Sequence, residues 1–105
     1  MTLQNLLANI PARLDSEQFE QIACKGKVFI ERILSRGQSS PASGWYDADE
    51  DEWVLLIEGE AILEFTDGRQ HHLHRGDHLL IPAHCQHKVA WTPGDRTTIW
   101  LAVHF

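Results

Sequence analysis

The chain has 105 residues, the size of a single domain, and 43% of them are hydrophobic, which is enough apolar material for a buried core. The net charge of −6 and the lack of any dense run of Lys or Arg argue against nucleic acid and anionic membranes as partners, because both are bound through basic patches. With no basic leader, no apolar run of about 18 residues and only Cys24 and Cys85 as cysteines, we expect a soluble cytoplasmic protein with free thiols.

Residues 1–26 are predicted to form an N-terminal preface that carries one short helix. Asp15 followed by Gln18 has the spacing of a capping box, which predicts a helix over residues 16–23. The apolar residues of this helix, which we expect to cover the body of the domain, are Phe19, Ile22 and Ala23. The rest of the single domain, residues 27–105, is predicted to be a β-barrel.

The pattern of the body is typical of short β-strands separated by turns. Six or seven strands are predicted, over residues 28–34, 52–59, 60–65, 69–74, 78–82, 87–91 and 97–105. Asp67-Gly68 favours a hairpin, because glycine supplies the positive φ that a tight turn needs. Short, evenly spaced strands without interleaved helices predict an all-β antiparallel sandwich or barrel.

Alternation along the strand 52–59 places apolar side chains on both of its faces, so neither face is expected to be freely solvated. One face would line the interior of the barrel. The other would be covered by the N-terminal helix or by a second subunit, and we therefore expect a homodimer. In the last strand, alternation alone does not decide whether His104 points inward or outward.

The segment GDHLLIPAHCQH, at residues 76–87, has a spacing that belongs to a known family. It resembles the second motif of the cupin superfamily, G-x5-P-x-G-x2-H-x3-N. The residues that match are Gly76, Pro82 and His87. His84 stands at the second glycine position of the motif, and Trp91 stands at the asparagine position.

The first cupin motif is represented only by its second half. Glu52 and Gly59 have its E-x6-G spacing, in the strand that precedes the predicted hairpin. The resemblance extends from about Val28 to Phe105. It implies a cupin double-stranded β-helix, or jelly-roll barrel, which in this chain would follow the short N-terminal helix.

The resemblance also implies a metal site, because a cupin centre usually has three histidines and one glutamate. The residues before Glu52 read GWYDADED and contain no histidine. Depending on the spacing used, the two missing histidine positions are occupied by Tyr46 and Ala48 or by Trp45 and Asp47. The implied ligands are His87, Glu52 and Asp47, with Tyr46 as a further donor. Carboxylates favour a hard divalent ion such as manganese, with iron, zinc and nickel as the other candidates.

A ligand pocket is predicted beside this site. The residues expected to line it are Trp45, His84 and Trp91. An aromatic cavity with few polar groups suits a small organic molecule. Each residue also has a simpler interpretation, since tryptophans are usually core or interface residues and His84 fits an exposed turn.

Four further histidines cluster near the predicted hairpin, at His71, His72, His74 and His78. Imidazole suits zinc and nickel, so these residues are a candidate for an incidental metal site. Their spacing is not that of a zinc finger. The simpler interpretation is a solvent-facing pair of strands.

Three functions remain open from the sequence. The favoured one is a small cupin protein that binds a small organic ligand in its barrel, with or without a weakly held divalent metal and with no organic cofactor. The second is a metal-dependent enzyme, such as a dioxygenase, isomerase or lyase, in which Glu52 and His87 hold the ion. The third is a structural or partner-binding domain without an active site. One fold hosts many chemistries, so the resemblance does not select a reaction.

Overall fold

The computed structural model describes all 105 residues as an all-β protein of eight strands. In chain order these are β1 (Gln18–Lys25), β2 (Val28–Ser35), β3 (Glu52–Glu58), β4 (Glu60–Phe65), β5 (Gln70–His74), β6 (His78–Ile81), β7 (His87–Trp91) and β8 (Thr98–His104). One sheet has five antiparallel strands, in the order β1-β2-β8-β3-β6, and the other has three, in the order β5-β4-β7. The predicted all-β barrel is confirmed.

The short helix predicted over residues 16–23 is wrong, because this segment forms β1 at the edge of the larger sheet. An isolated helix of about eight residues is marginal in water, whereas β1 pairs its backbone with β2 along most of its length. Gly26, with a φ of 60°, makes the turn between the two strands. Phe19 lines the barrel cavity as a strand residue, while Ile22 is 44% exposed. The structure contains no helix of the length and hydropathy that crossing a membrane requires.

The core lies between the two sheets and draws on alternate residues of both. Its members are Val54, Leu56, Ala61, Leu63, Phe65, Leu73, Ile81, Val89, Trp100 and Ala102. Leu56 and Ala61 are fully buried on either side of the turn that joins the sheets. Gly59 allows this turn, because it has a φ of 93° and a Cβ there would lie 2.6 Å from Oγ1 of Thr98.

The outer face of the five-stranded sheet carries a continuous apolar row. Ile30 on β2 is paired with Val103 on β8. Val103 is also paired with Trp53 on β3, which is paired with Leu80 on the edge strand β6. Leu80 is 53% exposed. The outer face of β3 thus carries apolar side chains, and the helix predicted to cover it is absent because residues 18–25 form β1.

Candidate ligand-binding site in the barrel

A cavity of about 160 Å³ lies between the sheets, beside the start of β3 and the end of β8. Its acidic lining includes Glu17, Glu31 and Glu52, and its imidazoles come from His87 and His104. No Lys or Arg is among the residues that line it. The cavity is smaller than the roughly 300–1,000 Å³ of pockets for drug-sized ligands, so it suits a molecule of a few heavy atoms.

His87, at the start of β7, is positioned by contacts on both sides of its ring. The Nδ1–H donates to the backbone carbonyl of Cys85 at 2.9 Å, and because a carbonyl only accepts, this fixes the proton on Nδ1. Nε2 then faces Oε1 of Glu52 at 3.4 Å. Burial alone would lower the pKa of His87, but the hydrogen bonds with Glu52 and the Cys85 carbonyl outweigh it and raise the pKa above its usual value.

His104 stands directly opposite Glu52 in the register of β8 and β3. Its Nε2 lies 3.0 Å from Oε1 of Glu31 and 3.7 Å from Oε2 of Glu52. The ring stacks on Phe29, with a centroid distance of 4.0 Å. Burial opposes protonation of His104, but the bond to Glu31 and the charges of both glutamates raise its pKa. Glu52 therefore links two imidazoles within one buried cavity.

Several polar atoms on the cavity wall have no hydrogen-bond partner. These buried atoms are Oε1 of Glu17, Oγ of Ser40 and Nε1 of Trp100. The other oxygen of Glu17 accepts a hydrogen bond from Ser35 at 2.8 Å, so the carboxylate is held with one oxygen free. Buried polar groups are normally paired, because an unpaired one loses its hydration without compensation.

Tyr46 is held beside His87 by the backbone. The N–H of Tyr46 donates to the His87 carbonyl at 2.8 Å, and the N–H of His87 donates back at 3.2 Å. The two rings lie 5.6 Å apart. Burial is the main cause that raises the pKa of Tyr46, and the charges of the cavity glutamates add to it although the nearby Ser40 hydroxyl opposes the shift. Tyr46 therefore contributes a neutral phenol to the cavity.

Asp47 and His84 meet at the mouth of the cavity. Oδ1 of Asp47 lies 2.9 Å from Nδ1 of His84, and its Oδ2 accepts a hydrogen bond from Gln86 at 3.0 Å. The bonds from Gln86 and His84 lower the pKa of Asp47, and the bond to Asp47 raises the pKa of His84. His84 has a φ of 61°, the conformation that the motif's glycine would adopt at this position. The oxygens of Asp47 are thus engaged away from Glu52 and His87.

The two tryptophans predicted to line the pocket lie elsewhere. The ring of Trp45 lies under the Nζ of Lys88, at 4.5 Å. Trp91 is 40% exposed on the outer face of the smaller sheet, with its ring edge-on to His72 at 6.2 Å. Neither is among the residues that line the cavity. Of the predicted site residues, the cavity brings together Tyr46, Glu52 and His87, with Asp47 at its rim.

The interior donors form a series of pairs and do not surround one point. Ligand atoms on one zinc-like ion, bound at about 2.1 Å, lie roughly 3.0–3.5 Å from each other. Glu52 approaches this spacing with His87 and with His104 in turn, but no three ligand atoms from interior His, Cys, Asp or Glu residues lie within 4.8 Å of one another. The residues present do not fit a three-ligand metal centre in this arrangement. The single group that meets the criterion is Glu60, His72 and His74, on the outer face of the smaller sheet.

Sequence reasoning did not assign Glu17, Glu31, Ser40 or Trp100 to the cavity, and it left the orientation of His104 open. The alternation of β8 puts His104 on the face of Trp100 and Ala102, so placing the tryptophan inside would have placed the histidine inside. Glu31 and Glu17 belong to neither of the two sequence motifs. Their role depends on the pairing of β2 with β8 and on the course of the chain before β1.

Comparison with protein families supports the fold. The profile of the cupin domain matches residues 32–104. No similar protein was found among curated proteins.

Several solved structures have the same fold as this chain. A protein of Ralstonia eutropha JMP134, assigned provisionally as a mannose-6-phosphate isomerase, shares 42% identity and a TM-score of 0.93, over 99% of this chain and 97% of its own. A cupin superfamily protein of Desulfitobacterium hafniense DCB-2 shares 23% identity and a TM-score of 0.79, over 100% and 92% of the two chains. An RmlC-like cupin of Desulfovibrio desulfuricans shares 17% identity and a TM-score of 0.75, over 99% and 96%. The chain belongs to the cupin domain family.

Proposed function

We propose that this cupin binds a small polar organic molecule in its barrel cavity. The observation that carries the proposal is the set of unpartnered atoms on Glu17, Ser40 and Trp100. They offer a carboxylate acceptor, a hydroxyl and an indole N–H donor within one cavity. A ligand with both hydroxyl or amino donors and oxygen acceptors would satisfy all three, which removes the penalty of leaving them unpaired.

The charge of the lining selects a neutral or cationic ligand. Glu17, Glu31 and Glu52 face the cavity, and no basic side chain other than histidine offsets them. A phosphate group would meet carboxylates without the Arg or Lys that usually binds it. For this reason we do not transfer the substrate in the name of the Ralstonia protein. A neutral sugar, a polyol or an amino sugar fits the same chemistry better.

A thermal-shift screen of neutral polyols, sugars and amino sugars, with their phosphorylated analogues as a matched set, tests this function. A ligand at 100 times its Kd raises the free energy of unfolding by about 2.7 kcal/mol, which gives a clear rise in Tm. We expect stabilisation by the unphosphorylated compounds, and loss of it in Glu17→Gln. Glu64→Gln, on the outer side of β4, is the control. If no compound stabilises the protein, the domain is structural or partner-binding instead.

Any divalent ion in the barrel is proposed to be weakly held. Glu52 with His87 supplies two donors, and the Asp47 oxygens are engaged by His84 and Gln86. Two donors hold manganese, iron, zinc or nickel less firmly than the three or four of a formed site. Metal analysis of untagged protein should find substoichiometric metal in the barrel. A stoichiometric ion that is lost in both Glu52→Ala and His87→Ala would contradict this proposal.

A second candidate function is an enzyme that moves a proton on the bound molecule, as an isomerase or lyase does. The His104–Glu31 contact and the link through Glu52 to His87 favour it, since acid–base groups within hydrogen-bonding reach are what such a reaction requires. Deuterium exchange into a bound sugar, followed by NMR in D₂O, tests it. Exchange that disappears in His87→Gln while binding persists supports catalysis. If a bound ligand never takes up deuterium, the catalytic function is refuted and only ligand binding remains.

We also propose that a second copy of the chain covers the apolar row on the outer face. Val103, Trp53 and Leu80 continue this row to the edge of the sheet. Sedimentation velocity at micromolar concentration should give a dimer, and Trp53→Lys should give a monomer. Trp91→Lys, on the other sheet, is the control. A monomeric mass for the unmodified protein would contradict the proposal.

A further inference from the structure

The outer face of the smaller sheet holds a second group of histidine and glutamate side chains. His72 and His74 are two residues apart on β5, so they project from the same face, and their rings stack at 4.4 Å. Glu60 lies on the neighbouring strand β4, paired with His74 in the register. Its Oε2 contacts Nε2 of His72 and lies 3.9 Å from Nε2 of His74. Ligand atoms from all three residues lie within 4.8 Å of one another.

The glutamate of this group is fixed at both its backbone and its side chain. The N–H of Glu60 faces Oγ1 of Thr98 at 3.3 Å, and the same hydroxyl donates to the Glu60 carbonyl at 3.0 Å. Thr98 is fully buried, and Gly59 leaves the space that lets it approach so closely. These contacts anchor the start of β4 against β8.

The two oxygens of the Glu60 carboxylate have different partners because Arg96 binds one of them. Its guanidinium donates to Oε1 at 2.5 Å, which leaves Oε2 facing the two imidazoles. A partner that binds one oxygen of a carboxylate orients the other for a metal, as outer-shell groups do in known sites. The arginine charge also reduces the attraction of the carboxylate for a cation, so we expect moderate affinity.

We infer that Glu60, His72 and His74 form a binding site for a divalent transition ion, of which zinc, nickel and copper are the candidates. Two imidazoles and one carboxylate are the donor set that these ions accept, and zinc is bound by three such protein ligands where further positions stay open. The histidines are half to two-thirds exposed, with 48% and 63% of their side chains accessible. The open positions of the ion therefore face solvent, where a further ligand can bind.

Trp91 supplies a local readout for this site. Its ring lies edge-on to His72 at 6.2 Å, and Trp91 is paired with Ile62 on β4. Bound copper or nickel would quench its fluorescence. Trp91→Phe should remove the quenching while leaving the affinity for the ion unchanged, which separates the readout from the binding.

The test is titration calorimetry of untagged protein with zinc chloride and nickel chloride, and fluorescence with copper chloride. We expect one ion per chain, with affinity at least about tenfold weaker in His72→Ala, His74→Ala and Glu60→Gln. The matched control is His71→Ala, on the same strand with its side chain on the opposite face, against Phe65.

Three outcomes would overturn the inference. The first is binding only at millimolar concentration, the second is equal loss of affinity in His71→Ala, and the third is undiminished binding in the double variant His72→Ala/His74→Ala. The variant His87→Ala should bind the ion as the unmodified protein does. If His87→Ala abolishes binding instead, the ion belongs to the barrel and the outer site is refuted. Failure of the outer site leaves the proposed ligand binding in the barrel untouched.

Discussion

The barrel cavity and the outer face of the small sheet use the same residue types under different conditions. In the cavity, the side chains of Glu52 and His87 are 15% and 9% exposed, and the donors are arranged as successive pairs. On the outer face, His72 and His74 are largely accessible and share one oxygen of Glu60. The cavity also contains unpartnered polar atoms, whereas the outer carboxylate has both of its oxygens in contact.

This difference indicates what each region is able to bind. A buried polar group must be paired, so the unpaired atoms of the cavity select a ligand that supplies complementary hydrogen bonds. An exposed imidazole is hydrated at little cost and is free to turn toward an ion. Histidine and glutamate therefore suit an organic ligand in the cavity and a metal ion outside it. Burial and geometry decide between the two, and composition does not.

The largest predicted effect is at the turn that joins the two regions. In Gly59→Ala the new Cβ would meet Thr98 at 2.6–2.7 Å, in a backbone conformation that alanine rarely adopts. We expect a loss of at least about 2 kcal/mol in the free energy of unfolding, measured by urea denaturation, together with weaker zinc binding because Glu60 would shift.

The matched control for this turn is Gly68→Ala. Gly68 has a φ of 88° but open space around its missing Cβ, so only the backbone strain applies. The expected loss is about 1 kcal/mol. Equal losses in the two variants would refute the role assigned to the contact with Thr98.

The next largest difference is expected when the glutamate of each region is removed, because the two losses in the free energy of unfolding should differ. Glu52→Ala takes away the partner of His87 and His104 inside the cavity, and we expect a loss of about 2–3 kcal/mol. Glu60→Ala removes contacts that solvent replaces, so the loss should be smaller. Urea denaturation at neutral pH measures both. A larger loss for Glu60→Ala would contradict the assignment of the buried network to the cavity.

The pH dependence of stability should distinguish the histidines of the cavity from those outside it. The pKa values of His87 and His104 are raised in the folded protein, so their contribution to stability is complete below the unfolded value of about 6.5 and is lost as the pH rises through the folded pKa. The stability lost in His87→Gln should therefore be larger near about pH 6 than near about pH 9. His71→Gln is the control for loss of a histidine outside the cavity. A loss that grows with pH would reverse the sign and refute the interpretation.

The smallest effect is expected at Ser40. Its hydroxyl is buried near the Tyr46 phenol but forms no hydrogen bond of regular geometry, so Ser40→Ala should leave the free energy of unfolding unchanged or raise it by up to about 1 kcal/mol. The same variant should weaken binding of the barrel ligand. A clear loss of stability, measured by denaturation without ligand, would show that the hydroxyl already has a partner.

Most of the strands could be predicted from the sequence, because their signals are local. Glu52–Glu58 is a short apolar run and Glu60–Phe65 alternates between buried and half-buried residues, one glycine separates them, and the structure has both strands there. β1 was not recognised as a strand, since its eight residues show no clear alternation and a register shift between Gln21 and Ala23 interrupts its pairing with β2. The local sequence pattern therefore identified most strands, whereas the edge strand β1 is determined by its pairing with another strand.

The site was predicted only where a motif marks it. Glu52 and His87 follow motif spacing and meet at 3.4 Å. Trp91 occupies a motif position but lies on the outer face, because a register shift in the pairing of β4 with β7 falls between Ile62 and Leu63. Glu31 and His104 have no motif and come together through strand pairing alone. Such partners need the three-dimensional register, which alternation within a single strand does not supply.

The central claim, that the barrel binds a polar molecule and the outer face binds a metal ion, is tested most directly by NMR of the four indole N–H groups. The variants Trp45→Phe, Trp53→Phe and Trp91→Phe assign these signals and leave Trp100 by elimination. We predict that zinc shifts the Trp91 signal and leaves Trp100 unchanged. A neutral sugar, polyol or amino sugar that stabilises the protein should shift Trp100 and leave Trp91 unchanged. Zinc that shifts Trp100, or a stabilising compound that leaves Trp100 unchanged, would contradict the account.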